Sequence, residues 1–199
     1  MNKKKVLSTV FIVIIISACL FSTAFAYTLS GYKVQNNLIY KPNNTIGQLS
    51  LVHMSDALGK WNSSAGKGIL MLSSITHNMY NYPMRDNQNY VYKMNTGTSA
   101  YVAQNSIWYN SATKIILESD IVFNMYYPYA NNPNPGTALY DTYSIFLHEA
   151  GHTVGLDDLY NASDSAKVMY GIASPGTMKR NLHSDDVSGA QHIYVFPGI

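Results

Sequence analysis

The sequence predicts an α+β fold, in which a β-sheet packs against helices, from three patterns of apolar residues. Residues 51–61 carry apolar side chains at every third or fourth position, the spacing of a helix that buries one face. Residues 120–125 alternate in the manner of a half-buried strand. Residues 143–154 again show helical spacing. The chain of 199 residues is long enough for one domain with a substantial core.

In chain order, the first predicted elements are a strand within residues 32–40, a helix to about Trp61 and a short strand at 69–72. Pro42 and the two asparagines after it indicate the end of the first strand. Thr45 is a candidate N-cap for the helix that follows. The run at 69–72 is too short for periodicity to separate a buried strand from a helix, and we interpret it as a strand.

The centre of the chain is predicted to be rich in strands. Residues 91–94 and 101–103 are the weaker candidates, whereas 114–117 and 120–125 form the clearest pair of strands. Segment 126–139 contains three prolines and a glycine, which indicates a loop leading into the next helix.

That helix carries the motif His-Glu-x-x-His, which begins at His148. Residues four apart lie on one face of a helix, so His148 and His152 can aim imidazole nitrogens at a single point. Two neutral imidazoles supply half of a tetrahedral zinc site, and Glu149 beside them is a candidate base for zinc-activated water. Gly155 is suited to end the helix in a left-handed conformation. The resulting turn could bring Asp158 round as a third, oxygen ligand and leave the fourth position for water.

Simpler interpretations of the same residues stay open. The motif histidines could be ordinary polar residues of an amphipathic helix. Asp157 or Asp158 could merely cap a turn. A lone histidine is usually a surface or structural residue, and this prediction applies to the four others in the chain, His53, His77, His183 and His192.

The extended pattern His-Glu-x-x-His-x-x-Gly-x-x-Asp resembles the zinc-binding consensus of the metzincin metalloproteases. Most metzincins have histidine as the last ligand. Aspartate there resembles the small secreted bacterial snapalysin-type enzymes, whose Gly-Leu-Pro-Asp-His-Tyr is similar to Gly155-Leu-Asp-Asp158-Leu-Tyr160. The resemblance implies a twisted mixed β-sheet of about five strands packed on two long helices, with a short C-terminal subdomain ending in a helix. It also implies that residues 118–123 form the sheet edge that binds extended substrate by backbone pairing.

Two further segments carry the resemblance towards the C-terminus. Val168-Met169-Tyr170 is similar to the Met-turn of metzincins, which implies that Met169 lies beneath the zinc as an apolar pedestal and that Tyr170 lines the substrate cleft. A methionine alone usually only fills core space. Residues 182–194 resemble the closing helix of matrixins, with Ser184 as its predicted N-cap.

Residues 1–26 are predicted to be a secretory signal peptide, and residues 27–199 a metzincin-like zinc metallopeptidase catalytic domain. Lys3-Lys-Lys5 precedes a mostly apolar run, and Ala24-Phe-Ala26 is a small-x-small cleavage site. In the alternative interpretation, Ile16-Ser-Ala-Cys19 is a lipobox, and a lipid on the cysteine would tether the protein to the cell surface.

Charge and composition narrow the function classes. Without the signal peptide the chain has ten basic and eleven acidic residues, and its lysines are scattered, so nucleic acid is not a predicted partner. The single cysteine lies in the signal peptide, which suits an exported protein that does not rely on disulfides. The acidic calcium-binding cluster usual in animal matrix enzymes is absent from the sequence, so no structural Ca²⁺ is predicted. A monomer is expected.

Together these observations predict a secreted zinc metalloendopeptidase that hydrolyses peptide bonds in protein or peptide substrates. One catalytic zinc would be bound by His148, His152 and Asp158, with Glu149 as the general base. The alternative is a catalytically silent zinc-containing protein with a surface-binding or inhibitory role. A third hypothesis, a binder of cell-wall or host glycans, follows from the 17 tyrosines, although these form no clear stripe.

Overall fold

The computed structural model describes residues 26–81, 83–98, 101–132 and 136–196. The predicted signal peptide lies outside this part of the chain, except for Ala26. Within the described ranges, no helix is both long enough and apolar enough to cross a membrane.

The described elements form one mixed sheet, two small two-stranded sheets and three α-helices. In chain order they are β1 (Thr28–Leu29), β2 (Leu38–Pro42), α1 (Gln48–Ser64), β3 (Leu70–Leu72), β4 (Asn89–Met94), β5 (Ala103–Tyr109), β6 (Ile116–Asn124), β7 (Tyr129–Ala130), β8 (Tyr140–Asp141), α2 (Thr142–Val154), β9 (Leu156–Asp157) and α3 (Ser184–Tyr194). The five strands of the main sheet lie in the order β3-β2-β4-β6-β5. Neighbouring strands are parallel except β5, which runs antiparallel to β6. The predicted fold class is thus confirmed.

The main core lies between this sheet and helices α1 and α2. The apolar positions that predicted α1 face this core: Met54, Leu58 and Trp61 are almost fully buried. The Trp61 indole N–H donates to the carbonyl oxygen of Leu147 on α2 at 2.8 Å. This bond satisfies the one polar group of a buried tryptophan and fixes α1 against α2. Replacing such a side chain by alanine typically costs about 3–5 kcal/mol of stability.

A buried polar network joins α2 to the sheet. The hydroxyl oxygens of Tyr40, Ser119 and Thr153 lie 2.7 Å from one another in all three pairings. The Asn105 side chain on β5 donates to the Thr153 hydroxyl at 2.8 Å and to the Glu149 carbonyl oxygen at 2.7 Å. Because each of these polar groups has partners, burial costs little and the network holds α2 in one position over the sheet.

The strand predictions for residues 114–125 were wrong in two respects. The two predicted strands are one continuous strand, β6, which pairs with β5 and β4 and is buried on both faces. Residues 118–123 therefore lie inside the sheet, and β5 forms the edge. The polar residues that suggested a break are bonded inside the fold: the Glu118 carboxylate, for example, accepts the backbone N–H groups of Asp86 and Asn87.

Two predicted helix caps were also wrong. Helix α1 begins after Gly47 without a side-chain cap, while the Thr45 hydroxyl donates to Asn43. The N-cap of α3 is His183 rather than Ser184, because the His183 ring accepts the backbone N–H of the second helical residue. In return, the Asp186 carboxylate accepts the His183 backbone N–H at 2.8 Å, so the two residues form a capping box.

Candidate functional site

Helix α2 presents the two motif histidines on one face. Its N-cap is Asp141, whose carboxylate accepts the Ser144 backbone N–H. His148 and His152 lie one turn apart, with ring centroids separated by 4.9 Å. Both rings are only partly buried. The helical spacing predicted from the sequence therefore brings the two imidazoles to a common point on the protein surface.

Each imidazole is oriented by a backbone carbonyl on its other side. The Nδ1 atom of His148 lies 2.8 Å from the carbonyl oxygen of Val168, and that of His152 lies 2.9 Å from the carbonyl oxygen of Leu156. A carbonyl oxygen only accepts, so each Nδ1 carries the proton. In the neutral ring, each Nε2 then presents a lone pair. This is the tautomer that metal-binding histidines adopt.

The chain reverses direction immediately after α2 at Gly155. Its φ of 111° lies in the left-handed region, and its N–H bonds to the last-turn carbonyls of Gly151 and His152. A Cβ atom at position 155 would lie 2.5 Å from the Tyr32 carbonyl oxygen, so the close approach of this segment also requires glycine. The next two residues pair with the N-terminal strand β1, which fixes the returning chain.

The reversal brings Asp158 to the two imidazoles. Its Oδ1 lies 3.2 Å from Nε2 of His148 and 3.7 Å from Nε2 of His152. The three atoms lie within 4.8 Å of one another, and they belong to the one group of three or more metal-ligating side chains within the described residues. His53, His77, His183 and His192 are not in this group.

The Asp158 carboxylate is held by a neighbouring tyrosine and left free on its other oxygen. The Tyr160 hydroxyl donates to Oδ2 at 3.0 Å, whereas Oδ1 is buried and has no hydrogen-bond partner. Without a metal, burial lowers the pKa of His148 but the contact with Asp158 outweighs it and raises the pKa, so a protonated ring forms an ion pair with Oδ1. In the neutral rings that bind a metal, Oδ1 faces two lone pairs. Three convergent N and O donors of this kind fit a zinc ion. Asp158 is thus in the place that the sequence suggested, rather than serving only as a turn cap.

The charges at the site shift the ionisation of its members. Burial raises the pKa of the Glu149 carboxyl to about 7, with His148 opposing the shift and Asp158 adding to it. Burial lowers the pKa of His152, and the neighbouring His148 lowers it further. At Asp158, burial opposes ionisation, but His148, His152 and Tyr160 together outweigh it, so the pKa of this carboxyl falls below its ordinary value. The environments of the two carboxyls thus drive their pKa values apart, a common feature of acid–base sites.

Met169 is buried and packs against α2. A Cβ atom on Gly151 would lie 2.3 Å from the Met169 sulfur, so the helix and the methionine touch at this glycine. The Asp186 carboxylate on α3 accepts the backbone N–H groups of Val168 and Met169 at 3.0 and 3.2 Å. Sequence reasoning missed the roles of Gly151 and Asp186, because both depend on contacts between distant parts of the chain.

The site opens into a cleft of about 610 Å³. Strand β5 forms one wall, and the segment after Met169, including Tyr170, forms another. Gly171 leaves room for the aspartate, since a Cβ atom there would lie 2.8 Å from the Asp158 Oδ1. The cleft therefore offers His148, Glu149, His152 and Asp158 to a bound molecule along the free edge of the sheet.

Comparisons with known proteins identify sequences similar to this chain. The family model described as Matrixin matches residues 47–195. Metalloendoproteinase 1 of Glycine max is 38% identical over 61 residues, which are 31% of this chain and 19% of that protein. Metalloendoproteinase 5-MMP of Arabidopsis thaliana is 37% identical over 60 residues, which are 30% of this chain and 16% of that protein. The matched part is thus about a fifth or less of these curated relatives.

One solved structure is also similar to the chain. It is high choriolytic enzyme 1, a hatching enzyme zinc-protease from Oryzias latipes (medaka fish), with a TM-score of 0.43 and 11% sequence identity. The match covers 83% of this chain and 96% of that one.

Proposed function

Because this chain belongs to the matrixin family, whose model spans residues 47–195, we propose that it is a secreted zinc-dependent endopeptidase that hydrolyses peptide bonds in proteins. Residues 27–199 are its catalytic domain in this proposal. The observation that carries the proposal is the convergence of the Asp158 Oδ1 and the Nε2 atoms of His148 and His152 on one point, within 4.8 Å of one another.

These three atoms would hold one catalytic zinc ion, with the fourth side of the site facing the cleft. When bound, zinc supplies a Lewis acid that polarises a carbonyl oxygen and lowers the pKa of water. The protein contributes orientation through the carbonyl oxygens of Val168 and Leu156, which lock the imidazoles, and through Tyr160, which fixes the carboxylate.

Glu149 is the proposed general base. Its carboxyl group lines the cleft beside His148, and the helix under it is tied to β5 through the Glu149 carbonyl oxygen. A carboxyl with a pKa of about 7 can accept a proton from water at neutral pH and then deliver it to the leaving amine nitrogen. Burial, which raises this pKa, thus matches the group to both halves of the proton transfer.

Substrate peptides would bind in extended form along β5. Its free edge runs along the cleft, and several of its residues line the wall opposite Tyr170. Pairing of main chains gives affinity with little dependence on side chains. This role replaces the one that the sequence had suggested for residues 118–123.

Export of the protein through the signal peptide at residues 1–26 is part of the proposal, with release as a monomer. Lipidation of Cys19 and attachment to the cell surface is the alternative route. Mass spectrometry of the secreted protein separates the two, because cleavage after Ala26 leaves Tyr27 as the first residue and no cysteine.

The function is tested with purified residues 27–199 and the Glu149→Ala variant on gelatin or casein. The wild-type protein is expected to clear the substrate. A chelator should abolish this activity, and added zinc should restore it. The variant is expected to retain zinc without clearing. Equal clearing by both proteins would contradict the role of Glu149. Zinc binding without clearing by either would favour the catalytically silent alternative.

A further inference from the structure

Lys179 is the one lysine or arginine among the described residues that line the cleft. Its backbone N–H donates to the Ser144 hydroxyl at 2.7 Å, which fixes it beside the first turn of α2. Ser144 precedes His148 by one helical turn, a rise of about 6 Å. The ammonium-bearing side chain thus starts close to the candidate metal ligands.

The Lys179 ammonium has no carboxylate within ion-pair distance among residues 26–81, 83–98, 101–132 and 136–196. Its Nζ lies 4.8 Å from the centroid of the Tyr170 ring, on the cleft wall. The carboxylate of Asp186, which acts on the Lys179 ammonium without forming an ion pair with it, is already bonded to three backbone N–H groups. An aromatic face is a weaker partner for a cation than a carboxylate.

The neighbouring cation shows the contrast. The Arg180 guanidinium binds the buried Asp141 carboxylate through Nε at 2.9 Å and also through Nη2, and it donates to the carbonyl oxygen of Asn132. Arg180 is therefore part of the framework that starts α2. Lys179 makes no such contact, although its side chain is partly buried. Burial accordingly lowers the pKa of Lys179, a cost that a bound anion would offset.

We propose that Lys179 selects peptides with Asp or Glu within about two residues of the bond that is cut, a reach set by the spacing of an extended chain. The acidic side chain would enter the part of the cleft between Ser144 and Tyr170 and bind the free ammonium. This inference rests on the proposed peptidase function, because it names the substrate class of the same site.

The decisive measurement is the affinity of peptides for the zinc-loaded Glu149→Gln protein, which is determined by fluorescence anisotropy. The peptides share one neutral host sequence and differ only in carrying Glu, Gln or Lys at one position, which is moved across the three residues on either side of the central bond. At one or two positions, Glu is expected to bind about five- to tenfold more tightly than Gln, and Lys more weakly than Gln.

Adding Lys179→Met should remove the preference for Glu, and Lys179→Glu should reverse it. Lys33→Met is the matched control, because it removes the same charge from an exposed site outside the cleft and should leave the preference intact. Absence of any preference, persistence of it in Lys179→Met, or absence of binding by every peptide would overturn the inference.

Cleavage of the same peptides by the wild-type protein tests the underlying function separately. If cleavage occurs, the kcat/KM values should follow the binding preference. Binding that depends on Lys179 without any cleavage would overturn the peptidase proposal and leave the selection of acidic peptides standing. Cleavage with equal kcat/KM for Glu and Gln at every position would do the reverse.

Discussion

The two halves of the site are held in different ways. The half that carries His148, Glu149 and His152 is a helix locked to the sheet by a fully buried polar network. The half that carries Asp158 is irregular chain. It is held by a left-handed glycine, by two short strands and by the bond from the Tyr160 hydroxyl to the partly buried Asp158 carboxylate. We infer that substitutions in the first half chiefly lower the stability of the fold, whereas substitutions in the second half chiefly lower the affinity for the metal.

The largest expected effect is in the helix half, for Thr153→Val. The substitution keeps the shape of the side chain but leaves Tyr40, Ser119 and Asn105 each short of one partner in a buried network. Tyr40, Ser119 and Asn105 keep their other partners, and each of the three lost hydrogen bonds costs about 1 kcal/mol, so the free energy of unfolding should fall by roughly 3 kcal/mol. Urea denaturation measures it. Zinc affinity of the remaining folded protein should be unchanged, and a large loss of affinity would break the comparison.

Gly155→Ala probes the junction between the halves. Alanine at a φ of 111° is strained, and its Cβ would meet the Tyr32 carbonyl oxygen. We expect a loss of about 2 kcal/mol in stability, because left-handed backbone alone costs roughly 1–2 kcal/mol. Both the denaturation midpoint and zinc affinity should fall, since the turn also delivers Asp158. A change in stability alone would show that Asp158 is positioned independently of the turn.

Asp120→Asn tests a buried carboxyl of the main sheet, one oxygen of which has no hydrogen-bond partner. Asp120 is fully buried, its Oδ1 accepts the Tyr90 N–H and its Oδ2 has no partner. Burial, with Glu118 and Asp86 adding to it, raises the pKa of Asp120 to about 7 from 3.8. A raised carboxyl pKa favours the folded state at low pH, so the wild type loses stability as the pH rises from about 4 to 7.

Asparagine does not ionise, so the Asp120→Asn variant should gain stability relative to the wild type across that interval and should differ little from it below pH 4. Thermal denaturation at several pH values measures the difference. An advantage that is the same at every pH would contradict ionisation of Asp120 as the cause.

Tyr160→Phe gives the smallest expected effect and the most selective one. It removes the donor to the Asp158 Oδ2 and leaves the rest of the fold untouched, because the Tyr160 side chain is largely exposed. Loss of such a supporting hydrogen bond costs about tenfold in metal affinity. Competition with a zinc chelator dye measures it, with Tyr126→Phe as an exposed control. Unchanged zinc affinity would show that Asp158 needs no support from Tyr160.

The features that the sequence predicts depend on interactions between residues close together in the chain. The common face of His148 and His152 is a local rule of helix geometry, and the reversal at Gly155 follows from the conformational freedom of one glycine. In the structure, the side chains of His148, His152 and Asp158 lie close together, while the roles of these residues and of Glu149 in binding zinc and in catalysis stay proposals.

Most of the features that the sequence did not predict depend on interactions between segments far apart in the chain. Strand β6 reads as broken because Glu118, Ser119 and Asp120 are polar, and only their partners in other elements make burial possible. The cap of α3 was misplaced for a local reason, because the His183 ring accepts the Asp185 N–H in the place of a serine hydroxyl. No local pattern reports that Gly171 leaves room for a carboxylate, or that Lys179 has no anion beside it.

The carboxylate of Asp186 couples the local opening of two segments that are far apart in the chain. It accepts the N–H group of His183 before α3 and those of Val168 and Met169 under the site. The start of α3 and the chain beneath His148 must therefore open together, and their amide hydrogens should exchange with solvent at matching rates. Local opening at the start of α3 would therefore also disrupt the segment beneath the candidate site.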